Sequence, residues 1–218
     1  MPDPFDQSRY QVRFEWGSDG LRRLAPADVI VVVDVLRFST TVTDAVARGE
    51  TFALDSAAHA ISINGARIAE SAAQAGGIVL LGSLRNAAAV AGAVLAEQTR
   101  RGERTSVAVI AAGELASRDP GASLRFAVED QLGAGAIIDA LAALGVDHTS
   151  PEAAAACEAF RGLRGAVRHL LTASGSGQEL IERGQRDEVL AAARLDEIAE
   201  VAVLREGVFT AFVPDLPR

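Results

Sequence analysis

Val29-Ile-Val-Val-Val33 is five consecutive β-branched residues, with Asp34 directly behind them. A run that is apolar at every position, rather than at every second one, offers no face to water, and five residues are too few for a stable helix. It therefore predicts a strand covered on both sides in a parallel sheet. Comparable runs recur at residues 78–81, 107–110, 201–204 and 208–213. Helical stretches lie between or around them at 86–101, 128–144 and 150–172. Strands alternating with helices predict an α/β fold, a mostly parallel sheet flanked by helices.

Local signals agree with that layout. Ser150 before Pro151 and Glu152 supplies a capping oxygen, a first-turn proline and an acid suited to the helix dipole. Gly102 and Gly145 close the helices before them. Arg205-Glu206-Gly207 is a short link between the last two apolar runs and predicts an antiparallel C-terminal hairpin. A strand-like stretch at 10–14 is expected to add an edge strand. With 218 residues, no fixed-period repeat and no low-complexity linker, residues 1–218 are expected to form a single α/β domain.

Composition narrows the chemistry. The formal charge is −8 with no basic patch, which disfavours nucleic acid and anionic lipid as partners. All 21 basic residues are arginine, so Schiff-base, pyridoxal and P-loop lysine chemistry is excluded. Cys157 is the sole cysteine, which excludes an intrachain disulfide or a cysteine zinc site. His59, His148 and His169 have no ligand spacing and are expected to be structural or exposed. No stretch has the length and apolarity of a membrane span, and the N-terminus lacks the features of a signal peptide, so a cytoplasmic protein is expected.

In open parallel sheets, ligands bind beyond the carboxyl ends of the strands. The segments found there are Asp34-Val-Leu-Arg37-Phe-Ser39-Thr40-Thr41, Gly82-Ser-Leu-Arg85-Asn86 and Ala111-Ala-Gly113-Glu114. The first is the richest. Asp34 could hold Mg²⁺ through oxygen, the Arg37 fork could pair two phosphate oxygens, and Ser39 and Thr40 could donate at a helix start. The competing account is that Ser39 merely caps the helix and Asp34 pairs with Arg37. Glu129 and Asp130 could complete a divalent site or serve as acid and base, or be charge favoured near a helix start. Ser174-Gly-Ser-Gly177 looks like a phosphate-cradling turn but follows a helix, so a helix-to-helix turn is expected.

These blocks together resemble the 2-phosphosulpholactate phosphatase (ComB-like) family. The resemblance rests on Val32-Val-Asp34-Val-Leu-Arg37-Phe-Ser39-Thr-Thr41, Asn64-Gly65-Ala-Arg67, Gly82-Ser83 through Asn86-Ala-Ala-Ala-Val90, Ala112-Gly113 with Glu129-Asp130 and Ala134-Gly135, and Gly177-Gln-Glu-Leu180 through Gly184 and Asp187. It implies an α/β, Mg²⁺-dependent phosphatase that converts 2-phosphosulpholactate to sulpholactate. It further implies that Asp34, Glu129 and Asp130 supply the metal-side acids, that Arg37, Ser39 and Thr40 face the phosphate, and that Asn64, Arg67 and Asn86 donate to the sulphonate or carboxylate. The chain departs from the family pattern between its first helix and Asn64. There 51–60 passes directly onward without the family's Gly-Glu-Arg-Gly and Gly-Asn-Ser-Pro segments. Ser62-Ile63 stands for Thr-Thr, and Gln178 occupies an arginine position.

The expected function is thus Mg²⁺-dependent hydrolysis of a small anionic phosphate ester, with Asp34, Arg37, Glu129 and Asp130 as catalytic residues. Asp34 is open to either a nucleophile or a metal-ligand role. The alternative is a non-catalytic anion-binding or assembly protein built on the same fold. A homodimer is compatible with either.

Overall fold

The computed structural model describes residues 3–116 and 122–214, so Met1 and Pro2 of the N-terminal stretch and residues 117–121 and 215–218 lie outside it. In chain order the elements are β1 (Val12–Trp16), α1 (Gly17–Arg23), β2 (Val29–Val33), α2 (Phe38–Ala47), β3 (Phe52–Ala53), α3 (Ser56–Ile61), α4 (Ile63–Ala75), β4 (Ile78–Gly82), α5 (Ala87–Arg101), β5 (Val107–Ala111) and β6 (Glu114–Leu115). They continue with β7 (Leu124–Arg125), α6 (Val128–Ala143), α7 (Pro151–Leu163), α8 (Val167–Ala173), α9 (Gly175–Glu182), α10 (Arg186–Ala192), β8 (Ala202–Arg205) and β9 (Val208–Ala211). No helix among the described residues is long and apolar enough to cross a membrane.

Seven strands form one sheet in the order β1-β5-β2-β4-β8-β9-β3. The pairs β1/β5, β5/β2 and β2/β4 are parallel, while β4/β8, β8/β9 and β9/β3 are antiparallel. The expected α/β class, the edge strand near residues 10–14 and the C-terminal hairpin are all present. The hairpin turns through Glu206 and Gly207, both at positive φ, the geometry whose twist matches two antiparallel strands.

Complete burial of β2 follows from its sequence. Val29, Val31 and Val33 belong to a core closed by residues of α5, α6, α7 and α8. Ile30 and Val32 belong to a second core with Leu21 of α1, Val42 of α2 and Ile68 and Ala69 of α4. A strand alternates its side chains, so two cores require an apolar residue at every position. The helix after β2 lies on one face, whereas those after β4 and β5 lie on the other. The loops consequently diverge beside the carboxyl end of β2, the crevice where α/β sheets bind ligands.

Some boundaries depart from the sequence expectation. The single helix expected over 150–172 is two helices, α7 and α8, separated by a 3₁₀ turn at Arg164–Ala166 where Gly165 sits. The helices α1, α3, α4 and α10, the short strand β3 and the β6/β7 ribbon have no counterpart in the sequence reading, and Gly175–Gly177, expected as a turn between helices, is the first turn of α9. Ser150 does cap α7, accepting the N–H of Ala153 at 3.1 Å, and Gly102 and Gly145 stand at positive φ behind their helices.

Ile137 of α6 is fully buried against the sheet beneath Gly82. Ile137→Ala is expected to lower the unfolding free energy by about 2–5 kcal/mol, because a deleted core side chain leaves a cavity that packing only partly closes. Urea denaturation followed by circular dichroism measures it.

Candidate functional site

Asp34 follows β2 and is held from three directions. Its Oδ1 accepts the Phe38 N–H at 3.1 Å, and its Oδ2 accepts the Ser62 hydroxyl at 2.5 Å. Ser62 caps α4, its Oγ taking the Gly65 N–H at 3.1 Å, and that same N–H also acts on the Asp34 carboxylate. Two helix starts, those of α2 and α4, therefore aim their positive ends at one acid. Gly65 is required by the approach, since a Cβ there would lie 2.5 Å from Asp34 Oδ2.

Glu129 and Asp130 open α6 and are buried with Asp34, each no more than 4 % exposed. Asp130 is wholly engaged by backbone, its Oδ1 accepting from Val35 N at 2.8 Å and its Oδ2 from Gly113 N at 2.9 Å. Glu129 is different. Its Oε1 accepts the Ser176 hydroxyl at 2.5 Å, while its Oε2 is buried with no hydrogen-bond partner.

The three acids share a cleft of about 470 Å³ with Ser62, Asn64 and Glu114, and Arg37, His59, Ser176, Glu179 and Arg183 complete its walls. Burial, above all, raises the Asp34 carboxyl, with repulsion from Glu129 adding to it against the hydrogen bonds that oppose it. Asp130 is pushed well above its ordinary value by burial, then by Asp34 and Glu129. Glu114 is raised by burial and then by Glu129. Crowded carboxylates in a low-dielectric pocket resist ionising together.

The other residues singled out in the sequence divide. Asn64 lies in the cleft, where its amide donates to the Gly113 carbonyl at 2.9 Å. Arg37 lines the cleft but pairs with Glu188 at 2.9 Å, so the anticipated Asp34–Arg37 pair does not form. Ser39 lies inside α2 rather than at its cap. Its hydroxyl donates to the Val32 carbonyl and accepts from Asp34 N, each at 3.0 Å, which fastens the end of β2, and the buried Ser39 is not among the residues that line the cleft. Thr40 donates to the Val35 carbonyl at 2.8 Å and lines an adjoining cavity. Asn86 is fully buried, its oxygen accepting from Ser83 N and its amide donating to the carbonyls of Leu81 and Glu200. It is a helix-start brace. Arg67 is exposed in a neighbouring groove that meets the cleft at Asn64.

Ser62, Ser176, Glu114, Arg183 and His59 belong to the cleft without having been singled out for it. Glu114 stood in the segment behind β5, and Ser176 in the Ser-Gly-Ser-Gly turn, so both carried a positional signal. His59 came with none, and it bonds Glu70 at 2.9 Å.

A divalent cation suits the chemistry of this donor set: buried oxygens, mutually repelling acids, and the unpartnered Oε2 of Glu129. Among the described residues no three His, Cys, Asp or Glu side chains are grouped so as to hold a metal ion. Asp130, expected on the metal side with Asp34 and Glu129, spends both its oxygens on the N–H groups of Val35 and Gly113.

The family model described as 2-phosphosulpholactate phosphatase matches residues 55–207, a stretch that contains Ser62, Asn64, Glu114, Glu129, Asp130 and Ser176 and begins after Asp34 and Arg37. A search of curated proteins returned no match.

Because the folded-state value of Asp130 is raised above its ordinary 3.8, its contribution is present at acid pH and is lost as pH rises through the raised value. Asp130→Asn removes that loss and replaces one accepting oxygen by a donor-only amide nitrogen, so one of the two backbone hydrogen bonds is lost at every pH. Relative to the parent in EDTA, the variant's melting temperature is therefore expected to climb as pH rises from about 4. A difference independent of pH would contradict the assignment.

Proposed function

The chain belongs to the 2-phosphosulpholactate phosphatase family, and from that premise we propose that its acid-lined cleft hydrolyses a small phosphate monoester, 2-phosphosulpholactate first among the candidates, with Mg²⁺ as cofactor. The observation that carries the proposal is that Glu129, whose Oε2 is buried without a hydrogen-bond partner, and Asp34 line one cleft at the switch point of the sheet. An anionic ester meets Asp34, Glu114, Glu129, Asp130 and Glu179 in that cleft, a field that repels it unless a cation intervenes.

Asp34 and Glu129 would hold Mg²⁺, which when bound neutralises charge on the phosphoryl oxygens. Asp34 suits a fixed ligand better than a nucleophile, since the Ser62 hydroxyl and the Phe38 and Gly65 N–H groups lock its orientation and lower its electron density. Asp130 acts one step back, keeping the loops after β2 and β5 in place. Arg37 reaches the cleft after giving up a half-exposed pair with Glu188, an interaction worth only about 0–1 kcal/mol. Arg37 and Arg183 are then available to the ester's anionic groups, and Asn64 orients the chain beside Gly113. Glu114, which lines the cleft, would take the proton of the attacking water as the P–O ester bond breaks. The bonding pair stays on the ester oxygen, which gains a proton from solvent, and the products are the alcohol and inorganic phosphate.

Phosphate release from 2-phosphosulpholactate and a panel of small monoesters, with Mg²⁺ or with EDTA, tests this. Release that needs Mg²⁺ is expected, with Asp34→Asn lowering kcat/KM by at least about 100-fold, equivalent to about 2.7 kcal/mol of transition-state stabilisation. Thermal stabilisation by the ester without any release would support the anion-binding alternative instead.

A further inference from the structure

Ser174-Gly-Ser-Gly177 is a sequence motif to which the proposed chemistry gives no task, and the structure places its Ser176 in the cleft lining. Ser174 caps α9, its Oγ accepting the Gly177 N–H at 3.1 Å and donating to the Leu171 carbonyl at 3.0 Å. One turn further, Leu180 is buried in the larger core. The start of α9 is thus fixed at both its cap and its apolar side, and with Glu179 and Leu180 it brings Ser176 to the cleft lining.

The Ser176 hydroxyl donates to Glu129 Oε1 at 2.5 Å, the one hydrogen bond to that carboxylate among the described residues. A glutamate has three side-chain torsions, and a free carboxylate at the end of them samples many orientations. Tying Oε1 to an anchored hydroxyl restricts those orientations and leaves Oε2 as the buried oxygen without a partner. Glu114 of β6 and Glu129 of α6 line the same cleft as this hydroxyl.

On the phosphatase reading, from which this follows, we propose that Ser176 is a positioning residue: it touches neither substrate nor cation, and it aims Glu129 at both. A helix-to-helix turn thereby becomes part of the reaction centre's support, a role for which its glycines supply the close packing and its second serine the donor. Outer partners of this kind typically set about 10–100-fold in cation affinity or turnover.

The experiment compares the parent with Ser176→Ala, Ser176→Thr, Glu129→Gln and the double variant Ser176→Ala/Glu129→Gln. It reads kcat and KM by phosphate release and Mg²⁺ affinity by titration calorimetry without substrate. Ser176→Ala is expected to weaken Mg²⁺ binding and lower kcat by about 10–100-fold each while KM for the ester changes little. Ser176→Thr, which keeps the hydroxyl, is expected to recover most of both. In the Glu129→Gln background the alanine change is expected to add nothing, because its effect runs through that carboxylate. Parent-like kcat and Mg²⁺ affinity in Ser176→Ala, or losses that multiply in the double variant, overturn the inference. No phosphate release by the parent overturns the phosphatase reading instead, and the calorimetric comparison still decides whether Ser176 aims Glu129.

Discussion

Asp130 receives the N–H of Val35 on one oxygen and the N–H of Gly113 on the other, and so ties the chain leaving β2 to the chain leaving β5. These are neighbouring strands, and their exits would otherwise diverge freely above the sheet. Placing an acid there carries a desolvation cost, visible in how far burial lifts its protonation equilibrium. The two backbone donors offset part of that cost and would themselves be unsatisfied without it. Everything that faces the cleft is built out from this clamp: Asp34 one residue before Val35, Glu114 one residue after Gly113, and Glu129 adjacent on α6.

The same crowding sets the character of the pocket. Three acids lie within one low-dielectric space, and the guanidinium groups nearest to them, Arg37 and Arg183, are paired with Glu188 and Glu179. The starts of α2 and α4 add positive potential at Asp34. The missing positive charge is what the proposed cofactor would supply. The arginine-only composition matters here too, since a planar fork held by one exposed carboxylate can exchange partners at little cost.

Much of the scaffold was legible because burial on both faces forces continuous β-branched runs, and β2 begins and ends where that run does. Asp34, Glu129 and Asp130 were legible for a related reason, as acids at a strand exit and a helix start. Asn86 was misleading. A buried polar side chain that serves its own backbone through Ser83, Leu81 and Glu200 has the same residue type, at the same strand exit, as one that serves a ligand. The break between α7 and α8 was foreshadowed only by Gly162 and Gly165, within a stretch whose apolar spacing continues through it. Ser62 and Ser176 could not be found by spacing, because each meets its carboxylate across a large sequence separation that only the assembled sheet closes.

The exposed turn around Gly145 and Asp147 separates two contributions to the pocket. Asp34, Ser62, Glu114, Glu129 and Asp130 all come before it, while Ser176, Glu179 and Arg183 come after. β8 and β9, which complete the sheet beside β4, also lie on the far side. Severing the chain at that turn therefore yields two polypeptides, each with part of both the sheet and the cleft wall, and a complete cavity exists only in their complex. The turn is a natural seam for a split version of the protein, in which recovery of the cavity would report that the two pieces have met.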